Sequence, residues 1–265
     1  MFNEQLTVVK SAEAIELLRE NAIIVSKTLA EVAKFIQPGV KTITLDNIAE
    51  EFIRKEGAIP GFKGYRGFPA TLCISVNEEV VHGIPGERVL KNGDIVSIDC
   101  GCQKNGYYGD SAYTFPVGEL NADVMNLLKR TKESLFLALE WAITGKRVGD
   151  ISAAVQNHVE SFGYSVVREL VGHGIGKNLH EKPDIPNYGK RGSGTKLPTG
   201  LTICIEPMIN MGAKTVVQAQ DGWTIRTADR MPSAHFELTV AVQKDKADVL
   251  STFRYIEEVL GPRSI

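Results

Sequence analysis

The chain has 265 residues, 43% of them hydrophobic and 23% charged, and its 30 Lys and Arg oppose 32 Asp and Glu for a formal net charge of −2. These proportions exclude disordered, collagen-like and low-complexity classes. The balanced charge leaves no basic footprint for nucleic acid, and no apolar run approaches the roughly 18 residues of a membrane span.

Residues 11–36 read as a helix, with Ser11 and Glu13 crowding its start, apolar residues near helical spacing through Ile36, and Pro38-Gly39 ending it. Thr44 is expected to cap a second helix over 45–55. Residues 57–70, rich in Gly, Pro and aromatics, read as a loop. Strands are expected near 72–77, 80–84 and 94–102. Asn105-Gly106 is the strongest short hairpin signal in the chain, followed by a strand from Tyr107 to Phe115. Helices are expected over 121–144, stopped by Gly145, and over 151–162, capped by Asp150 and ended by Gly163. A Gly- and Pro-rich loop covers 172–200, and its Lys190, Arg191 and Lys196 read as a solvated tip. Strand-like runs at 201–206, 215–227 and 234–243 close the chain. Helices grouped between antiparallel-looking strands predict an α+β fold, and with no linker visible, residues 1–265 read as one domain. The start MFNEQLTVVK lacks a secretory signal, and the four Cys include no CxxC pair. Both features predict a reducing, cytoplasmic setting.

If Asn105-Gly106 is a two-residue turn, paired positions sum to 211. Gly101 then lies opposite Asp110, and Asp99 opposite Ala112. Asp99 and Asp110 share a face as diagonal neighbours, roughly 7–8 Å apart at Cα. The missing side chain at Gly101 leaves room between them. Two bare carboxylates so close would repel and raise one pKa, and a bound cation relieves this. Taken alone, the pair reads equally well as solvated residues of an exposed face. The flanking runs SIDCGC and GDSAYTF are too apolar for a fully wet hairpin. Cys100 and Cys102 alternate with Asp99 and so point to the other face.

Glu206 in LTICIEPMI and Glu237 in HFELTVAV are carboxylates inside runs that otherwise read as buried strand. Each must be paired, protonated or bound to metal. The bland alternative is a buried salt bridge. Neither run contains Lys or Arg, although Arg230 could fold back. His173 lies in VGHGIGKNLH between glycines that permit close approach. A lone His is usually structural, so its case rests on the set. Four carboxylates and one imidazole suit two divalent ions about 3.5–4 Å apart. Oxygen-rich ligation favours Mn, Fe or Co over a Cys-dominated zinc site.

The motifs CISVNEEVVHGIP, GDIVSIDCG, GYYGDSAYTF, GHGIGKNLHEKP, CIEPM and DGWTIRTADRMPSAHFELTV together resemble the type I methionine aminopeptidases. These belong to the larger family with the pita-bread fold, an antiparallel sheet covered by helices. The likeness spans essentially the whole chain. It implies two divalent ions (Mn, Fe, Co, Zn or Ni) on Asp99, Asp110, His173, Glu206 and Glu237. Asp110 and Glu237 would bridge them, Asp99 would complete one site, and His173 with Glu206 the other. It also implies catalytic roles for His82 (VVHGIP), which would contact the substrate amide, and His180 (NLHEKP), which would stabilise the developing oxyanion. Without the likeness both read as loop histidines.

By the same resemblance the pocket for the methionine side chain falls on Tyr65, Phe68, Cys73, Leu179 and Trp223, and His82 and His180 also bind substrate. Leu179 stands where an aromatic is expected, and Phe68 where a Tyr is expected. His235 stands where the family usually has Gln, and an imidazole there bears on metal preference. A monovalent-cation site is implied near Asn77 and Ser233. The implied reaction removes the N-terminal methionine of nascent proteins with a small second residue. Hydroxide activated by the two metals would attack the first peptide bond, with Glu206 as acid/base. A monomer with transient ribosome contact, no nucleic-acid specificity and no membrane partner is expected. The alternatives are a proline-specific aminopeptidase or dipeptidase of the same fold, a non-catalytic pita-bread binding module, and an unrelated dimetal phosphoesterase.

Overall fold

A computed structural model describes residues 7–265. Ser11 accepts the Ala14 N–H at 3.2 Å and starts α1 (Ala12–Ala33). Leu18, Ala22, Val25, Leu29 and Val32 form its buried stripe at helical spacing. The helix stops at Ala33, short of the predicted residue 36, in the approach to Pro38 and the left-handed Gly39 (φ +96°). Helix α2 (Thr42–Lys55) begins before the predicted Thr44 cap. Thr42 supplies the reason, because its hydroxyl donates to Gly86 O (3.0 Å) and accepts from Gly86 N (2.9 Å). Asp46 on α2 accepts the N–H groups of Thr71 and Leu72, which fixes where the next long strand begins.

The predicted loop 57–70 contains a two-residue strand, β1 (Ile59–Pro60), and a single 3₁₀ turn at Tyr65–Gly67. Then come β2 (Leu72–Val76), β3 (Glu79–Val81), β4 (Ile95–Lys104) and β5 (Tyr107–Pro116). The β4–β5 register is the one read from the sequence: Lys104 faces Tyr107, Gly101 faces Asp110 and Asp99 faces Ala112. Asn105 (φ 54°) and Gly106 (φ 76°) both take the left-handed conformation that such a turn demands. Strand β5 pairs along one edge of β4, while β1 and β2 share the other. Helix α1 packs directly on β5 because Gly109 has no side chain. A Cβ there would sit 2.5 Å from the Asn21 carbonyl carbon.

Asn121 caps α3 (Ala122–Leu139) through Val124 N. This helix ends before the predicted residue 144 because Thr144 and Gly145 donate instead to Gln243 O and Leu197 O. Helix α4 (Val148–Glu160) starts earlier than read. Asp150 caps it from inside the first turn, accepting Arg147 N at 2.8 Å. The remaining strands are β6 (Ser165–Val166), β7 (Gly172–Gly174), β8 (Glu181–Ile185), β9 (Thr202–Ile205), β10 (Met208–Asn210), β11 (Val216–Gln218), β12 (Ile225–Thr227), β13 (Ser233–His235), β14 (Leu238–Ala241) and β15 (Asp248–Val249), with α5 (Arg254–Leu260) last. The expected loop 172–200 therefore holds two strands, and the runs 215–227 and 234–243 each divide in two. In the sheet ordered β15-β14-β9-β7-β8, the β14–β9 and β9–β7 pairings are long-range, which a local pattern does not encode.

The architecture is α+β, with antiparallel strands covered by helices. The β13–β14 segment crosses to β5 through Glu237 N to Ala112 O (2.9 Å), Ser111 Oγ to Glu237 O (2.7 Å) and Thr239 Oγ1 to Asp110 O (2.7 Å). Tyr113, Phe236 and Phe253 pack edge to face behind this seam, with centroids 4.9 and 5.0 Å from Tyr113. Each buried aromatic stabilises the fold by about 1.5–3 kcal/mol. No helix among the described residues is long and apolar enough to cross a membrane.

Candidate metal centre and pocket

Three strands and two strand junctions meet at one point. Asp99 comes from β4, Asp110 from β5, His173 from β7, Glu206 from just past β9, and Glu237 from the junction of β13 and β14. The β9–β14 register pairs Leu238 with Ile205, so one further step brings Glu237 opposite Glu206. His173 Nε2 lies 3.6 Å from Glu206 Oε1 and 3.7 Å from Asp110 Oδ2. The donor atoms of Asp110, His173, Cys204 and Glu237 all fall within 4.8 Å of one another. Asp99 and Glu206 line the same cavity as Asp110, His173 and Glu237, so the structure brings the five predicted ligands together.

Electrostatics show what the cluster lacks. Asp110, Glu206 and Glu237 are held well above the carboxylate range, by burial first and then by one another and Asp99. Burial pushes Asp99 up to about 6, against the opposing pull of His235. Asp99 Oδ1, Asp110 Oδ1 and Glu237 Oε1 are buried and have no hydrogen-bond partner. Among the described residues no Lys or Arg pairs with any of the four. Arg230, the candidate for folding back, faces Glu78 Oε1 instead at 3.6 Å. The buried-salt-bridge alternative therefore fails, and a multivalent cation is what such a set can hold. The donor set fits divalent ions, since four carboxylates balance two of them. His173 fits as well. Its Nδ1 meets Gly174 O at 2.9 Å, so a neutral ring that donates there keeps its Nε2 lone pair for a ligand. Burial holds this ring down at about 4, and so neutral.

Above the cluster lies a cavity of about 190 Å³. It is smaller than the roughly 300–1,000 Å³ of drug-sized sites and suits a single side chain. Tyr65, Phe68, Cys73, Leu179 and Trp223 all line it, as do His82 and His180. Phe68 meets Trp223 edge-on at 5.2 Å. Leu179, 2% exposed, packs in the same apolar cluster. Phe62, overlooked in the sequence, is part of the wall and explains Gly101. A Cβ at 101 would lie 2.4 Å from the Phe62 ring, so the space left by the missing side chain is taken by this aromatic.

His180 and Tyr65 form a pair that the sequence did not indicate, with Tyr65 Oη 2.9 Å from His180 Nδ1 and the rings stacked at 5.4 Å. Burial holds His180 down at about 3, helped by His173 and the Arg66 guanidinium. A neutral ring that accepts the Tyr65 proton at Nδ1 carries its own at Nε2. His82 sits in the left-handed region (φ 59°), a strained conformation of the kind that functional sites retain. Burial holds it at about 4. Cys204 also borders the cluster, two residues before Glu206. Thr239 Oγ1 gives its proton to Asp110 O, so the Cys204 thiol donates to Thr239 at 3.4 Å. Away from the cavity, Asn77 O accepts Ser233 N at 2.9 Å, which joins the two residues named for a monovalent cation.

Comparison with known proteins identifies the family. The model of metallopeptidase family M24 matches residues 16–244. Methionine aminopeptidase 1 of Bacillus subtilis is 50% identical over 246 residues, 93% of this chain and 99% of that protein. The crystal structure of methionine aminopeptidase from Thermotoga maritima superimposes with a TM-score of 0.92 at 42% identity, covering 93% of this chain and all of that one. Prolidase from Pyrococcus furiosus shares the fold alone, with a TM-score of 0.77 at 23% identity, and this chain spans 66% of it.

Proposed function

The chain belongs to metallopeptidase family M24 and has its pita-bread fold, and we propose that it removes the N-terminal methionine from newly made proteins whose second residue is small. The reading rests above all on one observation. Buried carboxylate oxygens without partners lie at the floor of a side-chain-sized apolar pocket.

In this reading Asp99, Asp110, His173, Glu206 and Glu237 would hold two divalent ions. The chemistry supplied by ions held there would be a pKa of bound water lowered towards about 7 and a polarised scissile carbonyl. The residues do the rest. Tyr65, Phe68, Cys73, Leu179 and Trp223 receive the methionine thioether, and Phe62 closes the wall. Aromatic and thiol surfaces suit a polarizable sulfur. Asp99 faces the substrate α-amine, which must be free. Glu206 would hold metal with one oxygen and, with the other, would take the proton of the attacking water and pass it towards the leaving amine. His180 Nε2–H, oriented by Tyr65, donates to the carbonyl oxygen as it gains charge. His82 stands at the amide nitrogen. Both rings are neutral at pH 7 and so act as hydrogen-bond groups rather than fixed charges.

We further infer one catalytic domain over 1–265, cytoplasmic and monomeric, with passing ribosome contact and a monovalent cation near Asn77 and Ser233. The metal is one of Mn, Fe, Co, Zn or Ni. The test is hydrolysis of a Met-Ala-Ser peptide with Mn(II) or Co(II) added. Release of methionine that a chelator abolishes is the expected result. Cleavage of X-Pro peptides but not Met-Ala-Ser would establish a proline-specific enzyme instead. Failure to take up any divalent ion would leave a binding module.

A further inference from the structure

We propose that His235 is a positioning residue that holds the proton-carrying oxygen of Glu206; this rests on the peptidase reading above. His235 is 1% exposed. One hydroxyl clamps its backbone from behind, since Thr114 Oγ1 accepts His235 N (2.9 Å) and donates to His235 O (2.7 Å). The ring therefore cannot drift, yet its Nε2 has no hydrogen-bond partner. A buried imidazole nitrogen left idle costs stability, so its surroundings indicate what it serves. Its neighbour is Glu206 Oε2, at 3.5 Å.

Glu206 thus lies between two imidazoles, one at each oxygen. Oε1 faces His173 Nε2 at 3.6 Å. His173 Nδ1 is engaged with Gly174 O, so that side of the carboxylate belongs to the metal ligands. Oε2 is then the oxygen left to take a proton, and His235 is the group that faces it. The 3.5 Å gap exceeds the roughly 2.7–3.2 Å of a formed N–H···O bond. Catalytic hydrogen bonds in substrate-free sites are commonly long and tighten in the reacting complex. An N–H donor at this point fixes the rotation of the Glu206 carboxylate, so that Oε2 meets the attacking water. The role needs a donor and does not need the ring to titrate. A Gln amide of similar reach would fill it, and an apolar side chain would not.

The test compares His235→Ala, His235→Leu and His235→Gln with the unaltered protein, all loaded with Co(II). Three quantities are read: kcat and KM on Met-Ala-Ser, Co(II) affinity by titration calorimetry, and the visible Co(II) absorption spectrum. Removing the donor should lower kcat about 10–100-fold, the usual cost of losing an outer-shell partner. KM and Co(II) affinity should be unchanged, and the Co(II) bands should shift as Glu206 rotates. Gln should restore most of the loss. Leu fills the volume without an N–H and serves if Ala prevents folding. Turnover in Ala or Leu equal to the unaltered protein would overturn the proposal, as would Gln no better than Leu. A tenfold loss of Co(II) affinity would make the ring a ligand and overturn it too. If the unaltered protein cleaves no Met peptide at any metal loading, the peptidase reading itself has failed, a result distinct from all of these.

Discussion

Replacing Tyr65 by Phe removes a single oxygen, the atom 2.9 Å from His180 Nδ1, and leaves the stacked ring in place. A neutral hydrogen bond is worth about 0.5–1.5 kcal/mol net. At 1.36 kcal/mol per tenfold, kcat/KM on a Met peptide should fall about 2- to 13-fold. The loss should appear in kcat, because the apolar wall that binds the thioether is intact. Charge is not involved. His180 is held down at about 3, so the ring is neutral throughout the working range, and the bond controls its orientation and tautomer. Steady-state kinetics on Tyr65→Phe, His180→Ala and the double variant complete the test. In the His180→Ala background Tyr65→Phe should cost nothing, a coupling of about 0.5–1.5 kcal/mol. Additive losses would mean that Tyr65 acts on substrate only as a pocket wall, and would refute this account of His180.

Three further outcomes follow. Glu206→Gln should cut turnover by more than about two orders of magnitude, the worth of a positioned acid/base group; near-unaltered kcat would reject Glu206 as the base. Burial raises Asp99 to about 6 and, with mutual repulsion, holds Asp110, Glu206 and Glu237 well above the usual carboxylate range, so in metal-free protein these groups bind protons that a cation must displace. Metal affinity should therefore rise as pH increases through 6. Calorimetry in two buffers of different ionisation enthalpy should detect proton release at pH about 5.5, and zero release would contradict the raised carboxylates. Gly101→Ala should destabilise by about 1–3 kcal/mol through overpacking against Phe62, lowering Tm by about 2–4 °C per kcal/mol. An unchanged Tm would mean that the ring has another place to go.

The hairpin and its two aspartates were legible in the sequence because everything needed to place them is local. Asn105-Gly106 sets the turn, the turn sets the register, and the register puts Asp99 and Asp110 on one face. Helices α1 to α4 were legible for the same reason, although their ends were not. Thr42, Thr144 and Gly145 find partners far along the chain, at Gly86, Gln243 and Leu197, and those partners move the helix boundaries. Glu206, Glu237 and His173 were recognisable as residues out of place in apolar or Gly-rich runs; their chemistry suggested one metal-binding set with the aspartates, and the resemblance assigned each a role in it. Their meeting is a product of tertiary structure, since β7, β9 and β14 pair across long separations and the seam to β5 is made by Ser111, Ala112 and Thr239. Phe62 over Gly101, Tyr65 on His180 and His235 against Glu206 left no trace in spacing or composition. Each is a contact between residues whose elements are brought together by folding, and a linear pattern records periodicity along one element, not the distance between two.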